Sequence, residues 1–96
     1  MLNGTLTGKV VGNLNEYKGA EGLSHWFEVR TKVFFAGKLK ERSYMVAVPT
    51  YQTKSAERLV KDNALVAICY RDCVSMPADD GGSYVVLRAE SIDYAS

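Results

Sequence analysis

Aromatic rings and positive charges alternate along one short stretch of the sequence, WFEVRTKVFF, which runs from Trp26 to Phe35. If this stretch is a β-strand, successive side chains point to opposite faces. One face then carries Phe27, Val29, Thr31, Val33 and Phe35, and the other carries Trp26, Glu28, Arg30, Lys32 and Phe34. The second face combines rings on which bases can stack with cations that can bind phosphates, which is the chemistry of a single-stranded nucleic-acid site. The same pattern is also typical of aromatic residues that only pack against the protein.

The charges of the chain are almost balanced but unevenly placed. Twelve Lys and Arg residues against eleven Asp and Glu residues give a net charge of +1, so the protein is not a strongly basic nucleic-acid binder. Five cations nevertheless fall in the segment from Arg30 to Arg42, where Glu41 is the only acid. This segment could bind phosphates without any choice of base sequence. Alternatively, Lys38 and Lys40 form a solvated hairpin tip that discourages edge pairing.

Five β-prone stretches and one amphipathic stretch would have to position these residues. The predicted strands are residues 2–14, 26–35, 43–49, 64–74 and 83–94. Gly8 and Gly12 predict a bend in the first strand, because a glycine inside a strand often marks a bulge. One long bent strand can serve two sheets of a small barrel.

Turn-forming residues separate these strands. Asn15–Ser24 is predicted to be a loop, because it is polar and rich in glycine. Ala36–Arg42 is predicted to be a hairpin tip, and Met76–Gly82 a turn of Pro, Asp and Gly. Pro49 ends the third strand, since proline cannot donate a hydrogen bond to the ladder.

The predicted helix is Lys54–Asp62. Its apolar stripe consists of Ala56, Leu59 and Val60. Thr53 is expected to cap its start, and Asn63 is expected to end it in a left-handed conformation.

Length and composition favour a single domain over residues 1–96 with one modest core. No apolar run approaches the roughly 18 residues of a membrane span, and the first residues do not form a signal sequence. We therefore expect a cytoplasmic protein.

Cys69 and Cys73, the only cysteines, would lie about 13 Å apart in a strand, too far for a disulfide. They are expected to be free thiols on the face that also carries Arg71.

The sequence contains no recognisable enzyme motif, and no cofactor is expected. Gly19-x-x-Gly22 lacks the Lys-Ser/Thr ending and the following helix of a phosphate-binding loop. His25 is the only histidine, so neither a catalytic dyad nor a zinc site has a second imidazole. Asp79 and Asp80 lie in a turn, where carboxylates commonly bond the backbone.

The order of elements is that of a five-stranded Greek-key barrel of the oligonucleotide-binding type (OB-fold), with a short helix between strands three and four. The sequence resembles the bacterial and phage single-stranded DNA-binding proteins and the related primosomal restart protein. The similar segments are LNGTLTGKVVG, FEVRT, SYMVAV, AERLVKDNALV and SYVVLRAESI. They cover nearly the whole chain, but they are patterns of apolar and small residues.

Several positions depart from that family. Its stacking tryptophans are mostly replaced: Phe34 or Phe35 lies near the first, Tyr44 near the second, and Val74 or its neighbours near the third. The aromatic residue at the end of the third strand is displaced to Tyr51. The long tail with an acidic tip is absent after Ser96, which favours a phage or plasmid type or a trimmed chain.

The resemblance implies sequence-tolerant binding of single-stranded DNA in replication, recombination or repair, and RNA would offer similar chemistry. The candidate binding residues are Trp26, Phe34, Phe35, Tyr44, Tyr51, Tyr70, Arg30, Lys32, Lys38, Lys40, Arg42, Arg71 and Arg88. One bulge would exchange the faces of Phe34 and Phe35. The alternative is an OB-fold module that docks replication proteins, with nucleic-acid binding secondary.

A homo-oligomer is also expected, either a dimer or a tetramer. The first strand is apolar from Leu6 to Val11 and could pair with its own copy as an unguarded edge. The resemblance implies assembly through the same strand. The alternative is that this strand is simply buried in its own barrel.

Overall fold

The computed structural model describes residues 4–19 and 22–95. The described chain forms β1 (Gly4–Gly19), β2 (Gly22–Phe35), β3 (Lys38–Val48), α1 (Thr53–Lys61), β4 (Leu65–Pro77) and β5 (Ser83–Tyr94). A 3-10 turn at Thr50–Gln52 joins β3 to α1. The strands close a barrel in the order β1-β2-β3-β5-β4, and β3 and β5 pair in parallel. The predicted all-β OB-fold, with its helix between β3 and β4, is confirmed.

Strand β1 bends and pairs with two different strands, as its glycines predicted. Gly4–Lys9 pairs with β4, and the strand pairs with β2 from Lys9 onward. The register with β2 breaks between Val11 and Asn15, and Gly12 within this break has a φ of 79°. Such a φ favours glycine, because other side chains are strained there.

The first part of β1 changes partner strands at Lys9. The strand lies between β2 and β4 in the closed barrel, and Val10 is 1% exposed within the core. Among the described strands, Gly4–Gly8 pairs with β4 alone, Lys9 pairs with both neighbours, and Val10 and Val11 pair with β2 alone. The burial of Val10 agrees with the alternative that this strand serves the core of its own barrel. Pairing of this strand with a second copy stays a prediction.

Two hairpins are longer than predicted. Residues 15–19 pair with residues 22–26, so the predicted loop over Asn15–Ser24 is wrong. A solvated ribbon buries neither face, and it therefore lacks the alternation that identifies a half-buried strand. Lys38–Arg42 likewise belongs to β3. The β2–β3 turn consists only of Ala36 and Gly37, whose φ values of 54° and 75° are typical of a type I′ turn.

The other boundaries differ by a few residues. β4 continues to Pro77, so the turn that was predicted over Met76–Gly82 begins after Pro77. Thr53 is the first helical residue rather than the cap, and its Oγ1 donates a 3.1 Å hydrogen bond to the carbonyl oxygen of Thr50. Asn63 has a φ of 49° and ends the helix as predicted.

The core fills the barrel and is covered at one end by α1. Its members are apolar and buried: Val10, Phe27, Val29, Val46, Val48, Ala56, Leu59, Val60, Ala64, Val66, Ile68, Ala89 and Ile92. The predicted helical stripe is thus confirmed, because all three of its residues are buried. Within the described chain, no helix is both long enough and apolar enough to cross a bilayer.

Candidate nucleic-acid interface

The two faces of β2 differ as the sequence predicted. Phe27 and Val29 are fully buried in the barrel, whereas Trp26 is half-buried and Arg30 is exposed on the outside. β2 and β3 pair without a bulge from His25 to Phe35, so the alternation holds along the whole strand. Phe34 therefore lies on the outer face and is 74% exposed. The side chain of Phe35 lies outside the described part of the chain.

A groove of about 620 Å³ lies on the outer face of the barrel. The β1–β2 hairpin contributes to one of its sides, and β4 and β5 contribute to another. It is lined by Tyr17, Trp26, Met45, Ala47, Val74, Met76, Tyr84, Val86 and Arg88.

Cross-strand register explains how these residues meet. Residues directly opposite each other in neighbouring strands share one face of the sheet. Trp26 of β2 is opposite Ala47 of β3, which is in turn opposite Arg88 of β5. The short side chain of Ala47 lies between the long side chains of Trp26 and Arg88, which leaves a depression in the surface. The pairs Met45 with Val86 and Met76 with Tyr84 continue the same face.

The chemistry of the groove is mainly aromatic and apolar. Tyr17, Trp26 and Tyr84 supply three rings, and Met45 and Met76 supply flexible, polarizable side chains. Rings presented this way can stack on flat ligands, and bases are the usual flat ligands of such surfaces.

Arg88 is the one charged residue among those that line the groove. Its guanidinium donates two hydrogen bonds to the carboxylate of Asp72, from Nε and from one terminal nitrogen. These hydrogen bonds lower the pKa of Asp72 and raise the pKa of Arg88. The positive charge at the groove is thus already paired.

The cations of the β2–β3 hairpin lie on two different faces. Lys38, Lys40 and Arg42 are opposite Phe35, Val33 and Thr31, so they continue the inward-facing side of the ribbon. Arg30 and Lys32 lie on the other side, with Trp26 and Phe34. We call residues 31–42, which extend beyond the β1–β2 pairing, the β2–β3 arm. The structure therefore does not bring all the predicted cations to one surface.

Arg30 and the arm also differ in their ion pairing. Arg30 Nε lies 3.2 Å from an oxygen of Glu28, its neighbour on the same face. Within the described chain, no acid lies within ion-pair distance of Lys38, Lys40 or Arg42. These three cations remain free to bind an external anion.

The predicted tyrosines lie elsewhere. Tyr44 and Tyr70 are partly buried and pack against the core. Tyr51 is 76% exposed, but its hydroxyl donates a hydrogen bond to the carbonyl oxygen of Glu90, and it does not line the groove. Arg71 is exposed on β4.

Sequence reasoning did not identify several groove residues. Tyr17 was missed because it lies in the segment predicted to be a loop. Met45 and Tyr84 lie on strands that were predicted, and strand alternation places Tyr84 with Val86 and Arg88. Only the barrel closure shows that these residues face Trp26.

Cys69 and Cys73 are both free and exposed, as predicted. The expectation that they share one face is wrong. Cys69 is opposite Ser91 and Cys73 is opposite the buried Leu87, and the register breaks twice between these pairs. Among residues 4–19 and 22–95, no three metal-ligating side chains form a cluster.

No protein-family model and no curated protein matches the chain. Solved structures that are similar to it over almost their whole lengths include the following three. The small single-stranded DNA-binding protein of Streptomyces coelicolor is 13% identical and superimposes with a TM-score of 0.73 over 97% of this chain and 91% of that one. The corresponding small protein of Mycoplasma pneumoniae is 12% identical, with a TM-score of 0.68 over 100% and 96% of the two chains.

The third structure is the mitochondrial single-stranded DNA-binding protein of S. cerevisiae. It is 15% identical and has a TM-score of 0.54 over 99% of this chain and 95% of that one. The chain therefore has the OB-fold in the form that small single-stranded DNA-binding proteins adopt.

Proposed function

We propose that the protein binds single-stranded DNA with little preference for base sequence, and that the bases stack in the groove. The observation that carries this proposal is the convergence of Tyr17, Trp26 and Tyr84 on the outer face of an OB barrel. OB-folds bind oligonucleotides on the face of strands two and three, between the loops that join strands one to two and four to five. The groove lies in this position, and the three similar structures are those of single-stranded DNA-binding proteins.

The phosphates are proposed to contact the β2–β3 arm. Lys38, Lys40 and Arg42 alternate along β3 on one face, so they repeat at about 6.6 Å, twice the rise of one strand residue. Their charges would neutralise successive phosphates, and such contacts contribute affinity without sequence choice. Arg30 and Lys32 are proposed to act in the same way on the other face.

The test is a titration with oligo-dT at two salt concentrations, followed by intrinsic fluorescence. Trp26 is the only tryptophan of the chain and lines the groove, so a base stacked on it should quench its emission. Each neutralised phosphate should contribute about −0.7 to the slope of log K against log salt. Three arm contacts would therefore give a slope of about −2. Unchanged emission at micromolar oligo-dT would contradict the proposal.

We further propose that the protein works as a homodimer or tetramer in DNA replication, recombination or repair. One OB-fold contacts on the order of 4–16 nucleotides, so several linked barrels would hold a long strand much more tightly. Gly4–Gly8, paired on one side only among the described strands, is one segment with a side available for a second copy. Light scattering coupled to gel filtration tests this, and a mass near 10.6 kDa at micromolar concentration would exclude the dimer.

A second candidate function is supported by the apolar character of the groove. Arg88 is its one charged lining residue and is already paired with Asp72. Such a surface also suits an apolar protein segment, for example from a replication protein. High salt would leave that binding intact, whereas it would weaken binding to DNA steeply.

A further inference from the structure

Asp72 of β4 is opposite Arg88 of β5. The register between β4 and β5 breaks on both sides of Tyr70, and Arg71 has no partner in it. Tyr70 is opposite the buried Ala89, and the next paired residue is Asp72, opposite Arg88. Glu90 of β5 also has no partner, so the two breaks cancel, and Asp72 is opposite Arg88 as in one uninterrupted ladder. The unpaired residue in each strand changes the face instead: the carboxylate of Asp72 and the guanidinium of Arg88 both point to the outside of the barrel.

This carboxylate changes the electrostatics of the groove. A guanidinium binds a carboxylate and a phosphate with the same fork of N–H donors. Asp72 occupies that fork through Nε and one terminal nitrogen of Arg88. A phosphate cannot take both positions until the carboxylate leaves them. The separated carboxylate would then bind a cation from solution.

We propose that Asp72 competes with the nucleic-acid phosphate for Arg88 and so limits the affinity of the groove for DNA. The inference rests on the proposed function. Asp72 thus acts as an affinity-determining residue, although it does not itself line the groove. It makes Arg88 a weak phosphate contact, so the unpaired cations of the arm provide most of the salt-dependent binding.

The experiment compares Asp72→Asn with Asp93→Asn in oligo-dT titrations over a range of salt concentrations. Both substitutions remove one negative charge, and Asp93 lies at the other end of β5 beside α1. Asp72→Asn should tighten binding about twofold to fivefold at low salt relative to Asp93→Asn, a change of the size of one exposed ion pair. It should also steepen the salt slope by up to about 0.7, because the released carboxylate no longer takes up a cation.

Arg88→Met and the double variant Asp72→Asn/Arg88→Met separate competition from general repulsion. If Asp72 acts by occupying Arg88, the steeper slope requires Arg88 and disappears in the double variant. A steeper slope that persists without Arg88 would overturn the inference. So would equal affinities and slopes for Asp72→Asn and Asp93→Asn.

Melting curves establish that each variant is folded. If Asp72→Asn does not fold, Asp72→Ser is used in its place. A wild-type protein that fails to bind oligo-dT would overturn the proposed function and this inference with it. If the wild type binds oligo-dT but Asp72→Asn and Asp93→Asn have the same affinity and salt slope, this inference alone is overturned.

Discussion

Replacing Trp26 by Ala tests whether the groove is where bases stack. Trp26 lines the groove beside the small Ala47 and is half-buried, so part of its side chain is covered by protein. Stacking of one base on an aromatic residue contributes about 1–3 kcal/mol by alanine substitution. Since about 1.4 kcal/mol corresponds to a tenfold change in affinity, the variant should bind oligo-dT about fivefold to 150-fold more weakly.

The assay is fluorescence anisotropy of a labelled oligo-dT, because the variant has no tryptophan to report binding. Trp26→Phe keeps a ring at this position and should recover most of the affinity. Trp26 is not part of the buried core, so we expect Trp26→Ala to lose about 1 kcal/mol of stability or less, which corresponds to a Tm shift of up to about 4–8 °C.

The matched control is Tyr51→Ala, which removes another aromatic ring. Tyr51 lies outside the groove, and its hydroxyl bonds the backbone of Glu90. Its removal should change the affinity for oligo-dT by less than about twofold. If Tyr51→Ala costs as much affinity as Trp26→Ala, or if Trp26→Ala binds like wild type while folded, the bases do not stack in this groove.

Three further predictions concern stability and the thiols. Gly8→Ala should lower the urea midpoint by an amount equivalent to about 1–3 kcal/mol, because its Cβ would lie 2.7 Å from the carbonyl oxygen of Arg30; an unchanged midpoint would contradict this close approach. Thiol titration of the native protein without reductant should find both Cys69 and Cys73 reactive, and a value of zero would indicate a bridge. The hydrogen bonds from Arg88 lower the pKa of Asp72 below its ordinary value of 3.8, so the stability that this pair contributes is complete above about pH 4 and is lost as the pH falls through the lowered pKa. The urea midpoints of wild type and Asp72→Asn should therefore converge below about pH 4, and a constant difference down to pH 2 would show that the ion pair does not stabilise the fold.

Local patterns in the sequence were sufficient to predict the elements and their order. Alternation along residues 26–35 identified the buried face of β2, because a half-buried strand must place apolar side chains at every second position. The stripe of Ala56, Leu59 and Val60 identified α1, and Asn63 its end. Each of these features reflects how one element packs against the common core. A short stretch of sequence is therefore enough to predict it.

The groove and its charge were decided by tertiary structure. Barrel closure brings Trp26 of β2 next to residues of β5. The sequence of neither strand indicates that the other lies near it. The solvated β1–β2 hairpin buries no face, so nothing in its pattern indicated that Tyr17 belongs to a strand. A bulge is set by pairing with a neighbouring strand rather than by local composition, and one unpaired residue in each strand, Arg71 in β4 and Glu90 in β5, turns Asp72 and Arg88 to the outer face together.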